Sequence, residues 1–279
     1  MSKIMAVNAG SSSSKFQLLE MTKASEIVLT EGIFEKIGQP EPIFTIKYDG
    51  KKETKLVPEV KNHGDSVAML LSALVEKGIV KDLNEIKGVG HRILHCGEKY
   101  SDSVIMDEES IAVVESVNDL GPLHNPANLT GVRAFMKALP GVVNVGVFDT
   151  SFHLSMPDEA YMYACPYEWY EKYSVRKYGF HGTSHKYVSH RAAELLGKPL
   201  EDLRIITCHI GNGASLAAVK YGKVVETSMG LTPLEGMMMG TRSGDIDASA
   251  VLAIMKAEGY DADRMSDLLN KESGVLGIS

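Results

Sequence analysis

Apolar and polar positions along the chain recur at spacings that predict a string of strands and helices. Ile4 to Val7 is an apolar run suited to a buried strand. After Asn8, Ala9, Gly10, four serines and Lys15, a strand pattern resumes at Phe16, Leu18 and Leu19. Residues 40–56, "PEPIFTIKYDGKKETKL", alternate about Asp49–Gly50, the dipeptide of a tight hairpin turn. "DSVAMLLSALVEKG" (65–78) and "DEESIAVVESVNDLG" (107–121) carry apolar residues at helical spacing, each opening on an aspartate cap and closing on glycine. A third helix is expected in "NPANLTGVRAFMKALPG", with Pro126 near its first turn and Pro140–Gly141 closing it. "VVNVGVFDT" (142–150) reads as a buried strand ending on Asp149. A helix is expected after Thr183 in 182–197, and two more over 245–258 and 261–270. Strands and helices together make this an α/β chain.

The opening pattern returns. "RIITCHIGNGASLAAVKYGKVVE", residues 204–226, replays it at an offset of 201, so that Gly10 falls on Gly211, Ser12 on Gly213 and Ser14 on Ser215. Each copy runs strand, Gly-rich turn, strand, short turn, strand, the order of a β-meander. The turns have a plain reading, since Gly, Ser and Asn are common in hairpins. They also have a chemical one. Small residues bare backbone N–H groups, which with hydroxyls and the Lys15 ammonium can hold phosphate. A nucleoside triphosphate would give two such turns work to do.

Composition narrows the setting. The 279 residues allow two domains of the usual ~100–200 residues, with a boundary near 150. With 44% hydrophobic and 23% charged residues, a sizeable core is expected. No apolar run approaches the ~18 residues of a membrane span, and "MSKIMAVNAG" lacks the apolar core of a signal peptide. Cys96, Cys165 and Cys208 are odd in number and scattered, which indicates neither a disulfide framework nor a zinc site and points to the reducing cytoplasm. A net charge of −7 argues against a general nucleic-acid binder.

Seven blocks carry a resemblance: "VNAGSSSSK", "VGHRILHCGE", "GPLHNPAN", "FDTSFH", "YGFHGTSHKYVS", "HIGNGAS" and "TSMGLTPLEGMMMGTRSGDID". Together, and in order over residues 1–279, they resemble the acetate kinase (acetokinase) family. The resemblance implies the duplicated actin/Hsp70/sugar-kinase-like (ribonuclease H-like) α/β fold. An N-terminal domain over 1–150 would be followed by a second over 151–279, incomplete at its C-terminal end. It also implies reversible transfer of the ATP γ-phosphoryl group to acetate, with magnesium (manganese could take its place), in a cytoplasmic homodimer. Departures from the family's usual residues occur at Ser14, at Cys96, where Gly is usual, and at Leu94, where Val is common.

The chemistry that follows must bring two anions together. A carboxylate oxygen attacks the γ-phosphorus in line, so the protein's task is positioning and charge stabilisation. Arginine forks match carboxylate and phosphate oxygens in pairs. The resemblance assigns Arg92 to substrate binding and Arg242 to stabilising the transferred group. It places His181 beside the γ-phosphate as an N–H donor. His181 and His185 also have the i,i+4 spacing of a metal pair, discounted because no glutamate base lies between them. His124 is expected to be a phosphate-side donor or to support a residue that touches substrate. Asp149, at the end of its strand, is expected to orient Arg92 or a metal-bound water, because acetate is already ionised and needs no base. Asn8 suits magnesium's inner or outer ligand shell. Ser11, Ser13 and Lys15 form one phosphate turn; His209, Ile210, Gly211, Asn212 and Gly213 form the other. The resemblance lines the acceptor's methyl group with apolar side chains that fall here on Leu94, Leu123 and Pro233. The alternatives are a propionate or butyrate kinase, a nucleotide-binding switch, and an inert fragment. Arg92 and Arg242 lie outside both turns and favour an acceptor site.

Overall fold

The computed structural model describes residues 1–22, 25–122 and 124–279. It divides into two compact units, Met1–Phe148 and Asp149–Ser279.

Unit 1 is built on an eight-stranded sheet. Its strands are β1 (Ser2–Ala9), β2 (Ser13–Met21), β3 (Glu26–Glu35), β4 (Ile43–Tyr48), β5 (Lys51–Leu56), β6 (Ile86–Ile93), β7 (Val104–Ile105) and β8 (Val143–Phe148). The order across the sheet is β5-β4-β3-β2-β1-β6-β8-β7. β1 to β5 form an antiparallel meander, whereas β1, β6 and β8 run parallel. The parallel strands are reached through α1 (His63–Glu76), α2 (Glu108–Glu115) and α3 (Asn125–Ala138), as parallel pairing requires. Met5, Val7, Phe16, Leu18, Phe34 and Phe44 meet Val67, Leu70, Leu71 and Leu74 of α1 in the main core. A second cluster sets Ile93 and Phe148 against Ile111, Val114, Leu129 and Val132, and Cys96 is buried in it.

The β4–β5 hairpin turns at Asp49 and Gly50 with φ of 47° and 70°, the left-handed pair that an Asp-Gly turn supplies. Other expectations need correction. The serine turn is shorter than the row of serines. Gly10 N donates to Ser13 O at 2.7 Å, and Ser13 and Ser14 already belong to β2. α1 opens at His63, capped by Asn62, whose Oδ1 accepts from Asp65 N at 3.1 Å, while Asp65 accepts from Lys61 N. The stretch 107–121 is two pieces. α2, capped by Asp107, stops at Glu115, and a 3-10 turn over Asn118–Leu120 follows.

Unit 2 contains α4 (Asp158–Tyr161), α5 (Glu168–Tyr173), α6 (Gly182–Leu196), β9 (Arg204–Ile210), β10 (Ala214–Lys220), β11 (Lys223–Thr227), α7 (Ala248–Glu258), α8 (Ala262–Lys271) and α9 (Gly274–Ile278). Its sheet is the antiparallel meander β11-β10-β9. The repeat is thus a pair of meanders, but one offset does not cover both sides of the turn. Ala9 pairs with Ser14, whereas Ile210 pairs with Ala214, so the second turn is one residue shorter. α6 begins at Gly182, before Thr183, because His181 adopts φ 58° and turns the chain into the helix. Ile206, Cys208 and Ile210 lie exposed along one side of β9.

Candidate active site

In unit 1 the serine turn and the C-terminal end of β6 lie at the same end of the sheet. Asn8 pairs across strands with Lys15, and Val7 pairs with His91. Asn8, Lys15 and Arg92 therefore stand on the same face, opposite the buried Val7, Phe16 and His91. Arg92 Nη1 donates to Asn8 Oδ1 at 3.2 Å. Lys15 and Ser11 are exposed and Ser13 is half-buried. Beneath them His63 is buried and bonded to the Gly10 backbone; burial holds its imidazole below the usual range.

Two asparagines hold the strand ends, and the sequence reading placed them only within a helix. Asn128 donates to the Ala9 carbonyl and accepts from Leu94 N at 3.0 Å, tying β1 to the residue beyond β6. Asn125 accepts from His95 N at 3.1 Å and donates to His95 O at 3.0 Å. Both asparagines are buried on α3, and they bond a loop backbone that has no strand partner there. Leu94 is buried, and His124 is exposed at the N-terminus of α3. Leu123 lies outside the described residues.

In unit 2 the residues converge more tightly. Asp149 is buried and its carbonyl accepts from Gly182 N at 2.8 Å, fixing the start of α6. A Cβ added to Gly182 would collide with that carbonyl, so only glycine fits. His181, held just before it in the left-handed region, stacks on His209 with ring centroids 4.0 Å apart. His209 Nδ1 is bonded to Ser184 Oγ at 2.9 Å. The turn Gly211–Gly213 closes by a bond from Gly211 N to Gly213 O at 3.0 Å, and Gly240 N donates to Asn212 O at 3.1 Å. Ile210 and Asn212 are exposed. Arg242 Nη1 donates to the Pro233 carbonyl at 3.1 Å, and burial pulls its guanidinium below the usual value. A methyl built on Gly213 would stand 3.3 Å from Arg242 Nη1 and 3.5 Å from His181 Nε2. Two donors from distant parts of the sequence thus flank one glycine of the turn.

The sequence reading missed what supports His181. His185 is bonded to Thr207 and Ser215, and Ser215 to His181. His153 is bonded through Nε2 to the Phe180 carbonyl at 2.9 Å. Burial presses His153 down to about 4, and burial with neighbouring imidazoles presses His185 to about 3. The i,i+4 spacing of His181 and His185 serves hydrogen bonding to one serine. Among the described residues no group of three His, Cys, Asp or Glu could hold a metal, and no helix is long and apolar enough to cross a membrane.

Unit 1 carries a serine turn and an arginine at one end of its sheet, and unit 2 sets a histidine and a second arginine around a glycine turn; each by itself is a setting for anion chemistry. Solved structures define the class. The chain superposes on Porphyromonas gingivalis acetate kinase with a TM-score of 0.96 at 51% identity, covering all of this chain and 70% of that one. A propionate kinase from Francisella tularensis matches at 0.92 and 42% identity, with the same coverage. The fold is the actin-like fold of these kinases, and the protein is a phosphotransferase. The acetokinase family profile matches residues 3–279, and acetate kinase from Bacillus subtilis is 58% identical over all 279 residues, which span 70% of its length. The chain belongs to the acetokinase family.

Proposed function

We propose that the protein transfers the γ-phosphoryl group of ATP reversibly to acetate by direct in-line displacement. An acetate oxygen forms the new bond to the γ-phosphorus, the bond to the bridging oxygen breaks, and ADP leaves with that oxygen. No proton need move, because acetate is ionised near neutral pH. The observation that carries this reading is the pairing of His181 Nε2 and Arg242 Nη1 about Gly213. Fixed donors there suit the equatorial oxygens of a phosphoryl group in flight. Arg92 binds the carboxylate; Ser11, Ser13, Lys15 and the turn His209–Gly213 hold the nucleotide phosphates, with His124 a further donor. Leu94, Leu123 and Pro233 face the methyl group.

Oxygen donors around the serine turn fit magnesium, which keeps several waters and takes few protein ligands. Asn8 Oδ1 already accepts from Arg92, so Asn8 suits a metal-held water better than the ion. Magnesium bound with ATP would neutralise phosphate charge. Asp149 orients a guanidinium or such a water. Two domains meeting near residue 150, a homodimer and a cytoplasmic location complete the reading, on the family resemblance.

The test is transfer from ATP to acetate, propionate and butyrate, read as acyl phosphate and ADP. Acetate is expected to lead propionate by about 10- to 200-fold at most, since one methylene of misfit is worth ~1–3 kcal/mol. A propionate preference would establish the second reading, for which the Francisella tularensis structure speaks. ATP hydrolysis with no acyl phosphate would instead mark a nucleotide switch.

A further inference from the structure

A chain of hydroxyls and imidazoles in unit 2 ends at His181. Thr207 Oγ1 lies 2.7 Å from His185 Nδ1, His185 Nε2 lies 2.8 Å from Ser215 Oγ, and Ser215 Oγ lies 2.8 Å from His181 Nδ1. Thr207, His185 and Ser215 are buried, at 2%, 1% and 0% exposure, so their hydrogens must be shared out along the chain. A hydroxyl has one hydrogen to give. Thr207 has two acceptors within reach, His185 Nδ1 at 2.7 Å and the Ala217 carbonyl at 3.4 Å. O–H···O bonds run from about 2.5 to 3.0 Å, so the carbonyl is too far and the hydrogen goes to His185. The reverse assignment would leave the buried hydroxyl only the long contact to that carbonyl, a much weaker bond than the 2.7 Å one to His185.

The rest follows by counting hydrogens. His185 is neutral, since burial and the adjacent imidazoles press it down to about 3, and it carries a single ring hydrogen. With Nδ1 accepting from Thr207, that hydrogen sits on Nε2 and is donated to Ser215 Oγ. Ser215 then gives its own hydrogen to His181 Nδ1, and the ring hydrogen of His181 is left on Nε2. We infer that Thr207, His185 and Ser215 form a relay of one direction that holds His181 as the neutral Nε2–H tautomer, making them positioning residues for phosphoryl transfer. Nε2 is the nitrogen that faces Gly213 alongside Arg242 Nη1. With the relay reversed, a neutral His181 would turn a lone pair toward the phosphoryl oxygens. The bond from His153 to the Phe180 carbonyl steadies the peptide that precedes His181.

The inference rests on His181 as the hydrogen-bond donor to the transferred phosphoryl group, but its first test needs no activity. Long-range proton–nitrogen correlation NMR on the 15N-labelled full chain near neutral pH reports which ring nitrogen carries hydrogen; His181→Ala identifies the signals. The expected result is a protonated Nε2 and a bare Nδ1 on His181. Hydrogen on Nδ1 overturns the relay, whatever the transfer assay shows. The Nε2–H tautomer in a protein that fails to phosphorylate acetate supports the relay and overturns the functional reading instead. Thr207→Val keeps the side-chain volume and removes the hydrogen that sets the direction. It should lower kcat by ~10-fold or more and leave the acetate KM within about twofold, because a misdirected tautomer spares ground-state binding. Thr207→Ser should restore kcat. Wild-type kcat in Thr207→Val with an unchanged His181 tautomer also overturns the proposal.

Discussion

Acidification should unfold unit 2 before unit 1, and the buried histidines set the size of the effect. His91 in unit 1 and His153 and His185 in unit 2 are 2% exposed or less. Burial holds His91 and His153 to about 4, and burial with imidazole neighbours holds His185 to about 3, against an ordinary 6.5. Their folded values are depressed, so between about pH 4 and 6.5 the unfolded chain binds more protons than the folded one. Stability is therefore full above pH 6.5 and falls as the pH drops, by up to about 1.4 kcal/mol per pH unit for each group. At about pH 5 each of these three imidazoles has cost about 2 kcal/mol, so unit 2 loses about 4 and unit 1 about 2 from His91, to which the buried His63, also lowered but less far, adds a smaller part. Those losses are a large part of a domain's ~5–15 kcal/mol. Paired carboxylates do not contribute in this window. Glu85, held to about 2 by its hydrogen bond to Lys3, loses its stabilising effect only as the pH falls below about 4.5. The only tryptophan, Trp169, lies in unit 2, so its fluorescence reports that unit, while far-ultraviolet circular dichroism reports both. The tryptophan transition should come first on titration from about pH 7 to 4. Thermal midpoints unchanged between about pH 7 and 5 would refute the argument.

Other perturbations test the remaining parts of the site. Gly182→Ala drives a methyl into the Asp149 carbonyl and strains the bond that starts α6; urea denaturation should show a loss of about 2–4 kcal/mol, and wild-type stability would mean the loop yields freely. Arg242→Lys keeps the charge but loses the planar fork bonded to Pro233; kcat should fall by ~10²-fold, and near-wild-type turnover would remove Arg242 from the site. Leu94→Ala should narrow the acetate-to-propionate preference in kcat/KM while costing about 2–5 kcal/mol of stability at this buried position. An unchanged preference would exclude Leu94 from the acceptor pocket.

Much of the local structure could be read directly from the residues. An apolar run marked β1, a resumed strand pattern marked β2 and alternation marked β4 and β5, and the Asp49–Gly50 turn followed from the positive φ that this dipeptide tolerates. Helical spacing marked α1, α3 and α6, and the likeness of residues 204–226 to the opening announced two meanders. Such signals are short-range, because a strand or helix writes its buried face into residues two to four apart. Chain ends of elements were less legible. Asn62 and Asp65 both read as caps for α1, and the helix takes Asn62, with Asp65 donating its N–H to it from within the first turn. What stayed out of reach were contacts between residues far apart in the chain. Thr207, His185 and Ser215 are unremarkable polar residues until β9, β10 and α6 meet, and Asn128 acquires its role only when α3 crosses the ends of β1 and β6. The left-handed turn at His181 belongs with these, since histidine tolerates φ of 58° better than most residues but nothing local requires it. Burial settles such arrangements, because a polar group shut away from water must find its partner wherever the fold has brought one.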